Sequence, residues 1–211
     1  MNRRRGPGRP AGSDGAQLRQ RLIDTCWALL QEAAAAGAGV SVTRICQAAG
    51  CTPPTLYHHF GTLDDLKRTA CEQAFDAWSA ALENDIGHQE SPVLRLRRRG
   101  QAYVSWGVGH PAAYRVLFLS PPLETVPGST PGRGFEPLVA DLAQWLGRDA
   151  TDPAVMIAAL AHWSAVHGLT SLVITNPQLP ASIWHATLRH LSDSLALAGL
   201  PGADKPGTSD G

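Results

Sequence analysis

The chain has 211 residues, of which 44% are hydrophobic and 17% are charged, and its formal net charge is zero. This composition excludes a wholly disordered chain, because enough apolar side chains are present to fill a core. The charge is unevenly distributed: residues 1–61 hold seven arginines and three acids, a net charge of +4, so the other 150 residues carry −4. The basic N-terminal part predicts a polyanionic partner there.

The four cysteines (Cys26, Cys46, Cys51 and Cys71) all lie in the first third of the chain and form no Cys-x-x-Cys motif. This spacing excludes a disulfide framework and a zinc ribbon, and it favours reduced thiols in a cytoplasmic protein. The early arginines are followed by Gly-Pro-Gly and not by an apolar run, so no signal peptide is expected. No metal and no resident cofactor are expected.

Apolar residues recur at three- and four-residue steps almost throughout, which predicts an all-α chain of about nine helices. A basic disordered arm over 1–13 precedes the first helix, which ends at Gly37. Ser41 caps a short second helix, which ends at Gly50. Thr52 caps a short third helix, and Thr62 opens a long fourth helix with Asp65 in the manner of a capping box. The later helices are predicted at about 92–109, 112–119, 135–147, 153–175 and 181–198, with a loop over 120–132 and a disordered tail over 199–211.

One predicted helix needs to be compared with a membrane span. Ala154–Ile174 contains no Asp, Glu, Lys or Arg and is about as long as a bilayer is thick. It nevertheless contains His162, His167 and several hydroxyl groups, and no Lys or Arg cluster flanks it. A helix buried in a protein core or a subunit interface is therefore favoured over a membrane-spanning helix.

Residues 41–60 predict two short helices that meet at a sharp turn. Gly50 permits the turn, and the small Ala48 and Ala49 allow the helices to approach closely. Leu56 and Phe60 share one face of the second helix, so its opposite face is short, polar and aromatic. Such a face suits the major groove of DNA, which admits one helix whose side chains reach base edges. Periodicity alone also fits two helices of an ordinary α-helical core.

The same stretch resembles the helix-turn-helix of the TetR family of transcriptional regulators. The resemblance covers about 25 positions without a gap, from Val42-Thr-x-Ile through Leu-Tyr-x-His-Phe60 to Gly61-Thr-x-Asp-Asp-Leu66. It implies a three-helix DNA-binding domain over 14–61 and a helical ligand-binding and dimerisation domain over 62–198. The residues that it assigns to bases and phosphates are Thr43, Arg44, Thr52, Pro53, Pro54, Thr55, Tyr57 and His58.

The start of the fourth helix departs from the family pattern. Members commonly carry there a lysine that contacts phosphate, and this chain has Leu63. Lys67, one turn further on, is expected to substitute for it. Gly8-Arg9-Pro10 resembles the centre of an AT-hook, so Arg9 is expected in the minor groove, with an ordinary solvated tail as the alternative.

The C-terminal half predicts a dimer and a sensor. A helix-turn-helix usually acts as a two-fold dimer, and the helices over 153–175 and 181–198 could form a four-helix bundle with a second subunit. The family uses its last two helices in this way. Trp163-Ser-Ala-Val-His167-Gly and His110-Pro-x-x-Tyr-x-x-x-Phe also resemble the WHG subset of TetR C-terminal domains. The predicted pocket lining is Tyr103, Trp106, His110, Tyr114, Phe118, Trp145, Trp163 and His167. For Trp163 and His167, packing in the interface is the favoured alternative.

Arg95, Arg97, Arg98 and Arg99 form the basic cluster of the C-terminal part. We expect a solvated face that pairs with acids such as Glu83, Asp85 and Glu90.

These observations together predict a ligand-responsive repressor that binds a palindromic operator as a homodimer. The alternative is a DNA-bound adaptor that a protein partner regulates. An enzyme is not expected, because the sequence has no nucleophile paired with a base and no phosphate-binding glycine loop.

Overall fold

The structure is a computed structural model that describes residues 11–87, 91–119 and 135–197. These residues form helices and no strand, which confirms the predicted all-α class. The helices are α1 (Ala11–Ala36), α2 (Val42–Ala49), α3 (Pro53–Phe60), α4 (Leu63–Ile86), α5 (Pro92–Gly109), α6 (Pro111–Tyr114), a π-helical turn (Arg115–Leu119), α7 (Glu136–Leu146), α8 (Pro153–Thr175) and α9 (Ala181–Leu197).

The helices form two compact units. The N-terminal unit includes the chain up to Ala77 together with α6 and the π-helical turn, and the C-terminal unit includes the rest. The first unit therefore extends beyond the domain predicted over 14–61. It does so because Leu66 and Ala70 of α4 are buried in the same core as α1–α3, and because α1 packs against the π-helical turn.

Several sequence predictions concern the ends of elements. The first helix begins at Ala11, inside the range predicted for the arm, and the single helix predicted over 112–119 changes to π-helical geometry at Arg115. Arg9 and the rest of the arm, the loop over 120–132 and the tail over 199–211 lie outside the described residues.

The core of the N-terminal unit combines one apolar face from each of its first four helices. Leu22 of α1, Ile45 of α2, Leu56 of α3 and Leu66 of α4 are fully buried together. Burial of such a side chain contributes about 1.5–3 kcal/mol, so this shared core fixes the two helices of the predicted motif against α1 and α4.

In the C-terminal unit, α5 packs against α7, α8 and α9. Gly100 permits close packing, because a Cβ atom there would lie 3.4 Å from Val166 Cγ1 and 3.8 Å from His162 Nε2. His162 is 4% exposed, and its Nε2 atom has no hydrogen-bond partner among the described residues. Burial first, and then the charge of Arg99, lower the pKa of His162 to about 4, so the ring is neutral.

The arginines of α5 do not form the solvated face predicted for them. Arg99 is 5% exposed and binds Asp141 of α7 at 2.8 Å and also Glu83 of α4. Arg95 binds the other Asp141 oxygen at 2.5 Å. Arg99 pairs with Glu83 as predicted. Arg95 and Arg99 also bind Asp141, which is distant in the sequence, and their guanidinium groups lie largely within the protein. The prediction of a solvated face was therefore wrong for these two residues.

The other two arginines of the cluster lie nearer the surface. Arg98 is exposed, and Arg97 forms an exposed ion pair with Asp193 of α9 at 2.6 Å. Glu90 lies outside the described residues.

Within the described residues, α8 is the helix that is long and apolar enough to cross a membrane, and 39% of its most apolar window is buried. One face, which includes Val155, Ala159 and Val166, packs in the C-terminal unit. The opposite face exposes Ile157 and Leu172. The helix is therefore a core element on one side and an open apolar surface on the other.

Candidate nucleic-acid interface

The turn between α2 and α3 is formed by residues that suit their backbone positions. Ser41 caps α2, since its Oγ accepts a hydrogen bond of 3.3 Å from the Arg44 N–H. Gly50 ends α2 with φ at +69°, in the left-handed region that glycine adopts without strain. Pro53 begins α3, where its missing N–H costs no hydrogen bond. The two helices are thus held at a short turn.

Thr52 occupies the predicted N-cap position but does not cap the helix through its side chain. Its hydroxyl instead lies 2.9 Å from the hydroxyl of Thr55. The pair forms a compact polar group at the N-terminus of α3. Because Pro53 and Pro54 have no N–H group, this end of the helix offers an anion such as phosphate chiefly the threonine hydroxyls and the positive end of the helix dipole.

The two faces of α3 differ as the sequence predicted. Leu56 is fully buried and Phe60 is 8% exposed, so one face lies in the core. Tyr57 is 46% exposed although it is a large aromatic residue. The remaining predicted contact residues of α3 and its cap are also accessible: Thr52, Pro53, Pro54 and His58 are exposed, and Thr55 is half-buried. This face is available to a ligand as large as DNA.

The predicted contacts of α2 are on its exposed side. Thr43 and Arg44 are both exposed, and the Arg44 guanidinium binds Glu32 of α1 at 3.1 Å. Both partners of this pair are largely in solvent, so it contributes about 1 kcal/mol or less and can be exchanged for a phosphate contact.

A contact that sequence reasoning missed joins α1 to α3. The Arg19 guanidinium lies over the Phe60 ring, with Cζ 4.8 Å from the ring centroid. Such a cation–π contact is worth about 0.5–1 kcal/mol at an exposed site. No sequence signal could have revealed it, because the two residues are 41 positions apart and meet only after the core has formed.

At the start of α4, Leu63 stands where members of the TetR family commonly carry a lysine. Thr62 and Asp65 bond as predicted: the Asp65 N–H donates to Thr62 Oγ1 at 3.0 Å, and that hydroxyl donates to the Asp65 carboxylate at 2.6 Å. The hydroxyl bond and then Arg68 lower the pKa of Asp65. Leu63 packs against the core. Lys67 binds Asp64 at 3.0 Å and its side chain is 22% exposed.

The eight residues predicted to line an effector pocket are divided between the two units. Tyr114 and Phe118 belong to the N-terminal unit, where their rings lie 5.0 Å apart. The other six belong to the C-terminal unit: Tyr103, Trp106, His110, Trp145, Trp163 and His167.

Three of the six form one cluster between α5 and α8. The Tyr103 hydroxyl lies 3.1 Å from His167 Nδ1, and Trp163 stacks on the His167 ring at 4.9 Å. Burial lowers the pKa of His167. The favoured alternative from the sequence, a packed histidine with a hydrogen-bond partner, accounts for this geometry.

Two of the remaining three share neighbours with this cluster. Trp78 contacts both Tyr103, at 5.8 Å, and Trp106, at 5.7 Å, and Trp145 packs against the same apolar cluster of α7 and α8 as Trp163. Trp106 also stacks on the exposed His110 at 5.4 Å. A cavity of about 620 Å³ lies elsewhere, within the N-terminal unit, and none of the eight residues lines it.

The described residues contain no group of three or more His, Cys, Asp or Glu side chains placed to hold a metal ion. Burial raises the pKa of Cys26 to about 12 and the pKa values of Cys46 and Cys71 to about 11. These three thiols are therefore protonated near neutral pH.

Comparison with known proteins gives one consistent result. Residues 96–195 match the family model described as Tetracyclin repressor-like, C-terminal domain. This match, together with solved structures that are TetR-family regulators, supports a DNA-binding transcriptional regulator of the TetR type. No curated protein matches it.

Solved structures from the TetR family share this fold. A tetR-family transcriptional regulator from Streptomyces coelicolor has a TM-score of 0.64 and 19% identity, over 86% of this chain and 82% of its own. A TetR-like transcriptional regulator from Rhodococcus sp. RHA1 has a TM-score of 0.62 and 20% identity, over 94% of this chain and all of its own. At these identities the likeness establishes the fold and no finer property.

Proposed function

We propose that the protein is a cytoplasmic, ligand-responsive repressor that binds a palindromic operator as a homodimer. The N-terminal unit reads DNA, and the C-terminal unit dimerises. The observation that carries the proposal is the exposed polar and aromatic face of α3, opposite the buried Leu56 and Phe60. The match of residues 96–195 to the TetR-like C-terminal family model supports the same assignment.

Each residue of this face has a defined part in the proposed complex. Tyr57 and His58 lie on α3 itself and reach base edges in the major groove. Thr52 and Thr55, at the N-terminus of α3, take a phosphate through their hydroxyl groups, and the helix dipole supports this contact. Thr43 and Arg44 of α2 bind the adjacent backbone.

The homodimer is proposed to form through α8 and α9. Exposed apolar side chains are concentrated there: Ile157 is 62% exposed, Leu172 57% and Ile183 of α9 53%. A patch of this kind on a soluble protein usually marks an interaction surface. Gly168 lies in α8 with open space around its Cβ position, which leaves room for a close crossing by a partner helix.

The test measures binding of the full chain to DNA from the flanks of its own gene, by fluorescence anisotropy. We expect a saturable specific complex whose affinity falls steeply with salt, because binding releases counterions from phosphate. Tyr57→Ala or His58→Ala should each weaken specific binding roughly 5- to 100-fold, since a base contact is worth about 1–3 kcal/mol. His110→Ala removes an exposed histidine from the other unit and is the control.

Circular dichroism establishes that each variant is folded. If Tyr57→Ala and His58→Ala bind the operator as tightly as the unmodified protein, α3 is not the reading helix. An operator complex that ignores a library of small molecules and dissociates with a protein partner would favour the alternative, a DNA-bound adaptor.

A further inference from the structure

A cavity of about 620 Å³ lies within the N-terminal unit, between the second half of α1, the middle of α4 and the π-helical turn. Its volume is in the range of about 300–1,000 Å³ that is typical of small-molecule sites. Its walls are mostly apolar and include Leu30 of α1, Phe75 of α4 and Val116 of the π-helical turn. This unit also contains the proposed reading helix, α3. The sequence, by contrast, predicted an effector pocket in the C-terminal half.

The charged groups of the cavity all come from α4. They are Lys67, Arg68 and Glu72. The Lys67 side chain is 22% exposed, whereas Arg68, with a side chain that is 45% exposed, and Glu72 are both exposed residues. Water screens an exposed charge more strongly than a half-buried one, so Lys67 is the least screened charge of the cavity.

The Lys67 side chain is half-buried and lines the cavity. Its ammonium group donates one hydrogen bond to Asp64, at 3.0 Å, and two donors remain. Arg68 pairs with Asp65 in the same way. Both pairs lie within one helix and are exposed on the acidic side, so an anion could replace either carboxylate at low cost.

We propose that this cavity binds an amphiphilic anion, a medium-chain carboxylate or a molecule of similar size. The carboxylate binds Lys67 and Arg68, and the alkyl chain lies among Leu30, Phe75 and Val116.

Occupancy of the cavity also weakens DNA binding, and this step rests on the proposed function. Lys67 is the residue expected to replace the missing family lysine at a DNA phosphate. An ammonium group that binds the carboxylate of a ligand is no longer available to phosphate. Ligand and operator therefore oppose each other, as linkage between two sites requires.

The first test compares decanoate, decanol and decylammonium, below their micellar concentrations, by calorimetric titration of the full chain without DNA. We expect decanoate to bind at least ten-fold more tightly than the other two. Lys67→Met keeps the apolar stem, so it should remove this advantage and leave decanol unchanged. Arg148→Met, which removes a cation from the C-terminal unit, is the control. Equal affinities, or tightest binding by decylammonium, would overturn the assignment of an anion.

The second test locates the ligand. Cys71 lines the cavity, and Cys51 does not. At pH 9, decanoate should slow alkylation of Cys71 by N-ethylmaleimide at least five-fold, measured by peptide mass spectrometry, without slowing Cys51. Ala34→Phe fills the cavity and should abolish decanoate binding in a protein that remains folded by circular dichroism. If decanoate does not slow the alkylation of Cys71, or if Ala34→Phe binds decanoate as tightly as the unmodified protein, the ligand lies elsewhere.

The third measurement adds DNA. Saturating decanoate should weaken operator affinity at least ten-fold in the unmodified chain and not in Lys67→Met. Decanoate binding with unchanged operator affinity would overturn the coupling alone. Operator binding that fails altogether would count against the proposed function, while the titration without DNA would still decide the cavity.

Discussion

At the scale of single residues, the buried His162 makes the free energy of unfolding depend on pH. Its ring lies between α5 and α8 without a partner for Nε2 among the described residues, and Arg99 adds a repulsive charge. Between pH 6.5 and about 4, His162 is therefore protonated in the unfolded chain and neutral in the folded chain. The stability that the neutral ring contributes is complete above pH 6.5 and is lost as the pH falls toward 4.

We therefore predict that His162→Leu reduces the loss of stability in acid. The unmodified protein should lose about 2 kcal/mol through this residue between pH 7.5 and pH 5, since one pKa unit corresponds to about 1.4 kcal/mol. Urea unfolding at both pH values measures the difference. His110→Ala, which removes an exposed histidine, is the control and should leave the loss unchanged. An equal loss in His162→Leu would show that other groups carry the acid response.

At the scale of elements, the α2–α3 turn depends on one glycine. Gly50 has a φ of +69°, and no atom lies within 4 Å of its Cβ position. An added methyl group therefore meets no neighbour, and the whole cost of a substitution comes from the left-handed backbone.

We predict opposite effects of the same substitution at two glycines of the N-terminal unit. Gly50→Ala should destabilise the protein by about 1–2 kcal/mol, because an L-residue is strained in the left-handed region. Gly15→Ala, in α1 and also in open space, should stabilise it by about 0.5–1 kcal/mol. Thermal unfolding followed by circular dichroism measures both changes. Destabilisation by both, or by neither, would contradict this account of the turn.

At the scale of the whole molecule, α8 and α9 expose an apolar face on which we propose that a second subunit packs. Ile157, Leu160 and Leu172 point to solvent from the same helix that buries Val155 and Val166. A second subunit on this face would explain why α8 is apolar enough to cross a membrane although part of it lies in a protein core.

We predict that Ile157→Asp converts the protein to a monomer, because a carboxylate would be desolvated at the centre of the proposed interface. Light scattering after size exclusion should give half the mass of the unmodified protein, and operator affinity should fall at least 100-fold since two half-sites no longer bind together. Leu94→Asp makes the same kind of change at an exposed apolar residue of α5, outside the patch, and is the control. A dimer that persists in Ile157→Asp would place the interface elsewhere.

The amino-acid sequence by itself determined the features that depend on neighbours within about one helical turn. These are the all-α class, the cap at Ser41, the turn at Gly50, and the face of α3 that carries Tyr57 opposite Leu56. Helical periodicity and capping act over three or four residues, so they can be read directly from the sequence.

Only the tertiary structure decided which distant groups meet. Arg99 of α5 is buried against Asp141, which lies 42 positions away in the sequence, and the predicted sensor residues belong to two units. The cavity beside Lys67 arises where α1, α4 and the π-helical turn fail to fill the space between them. Packing between helices depends on side-chain volumes from remote parts of the chain, and no local pattern contains that information.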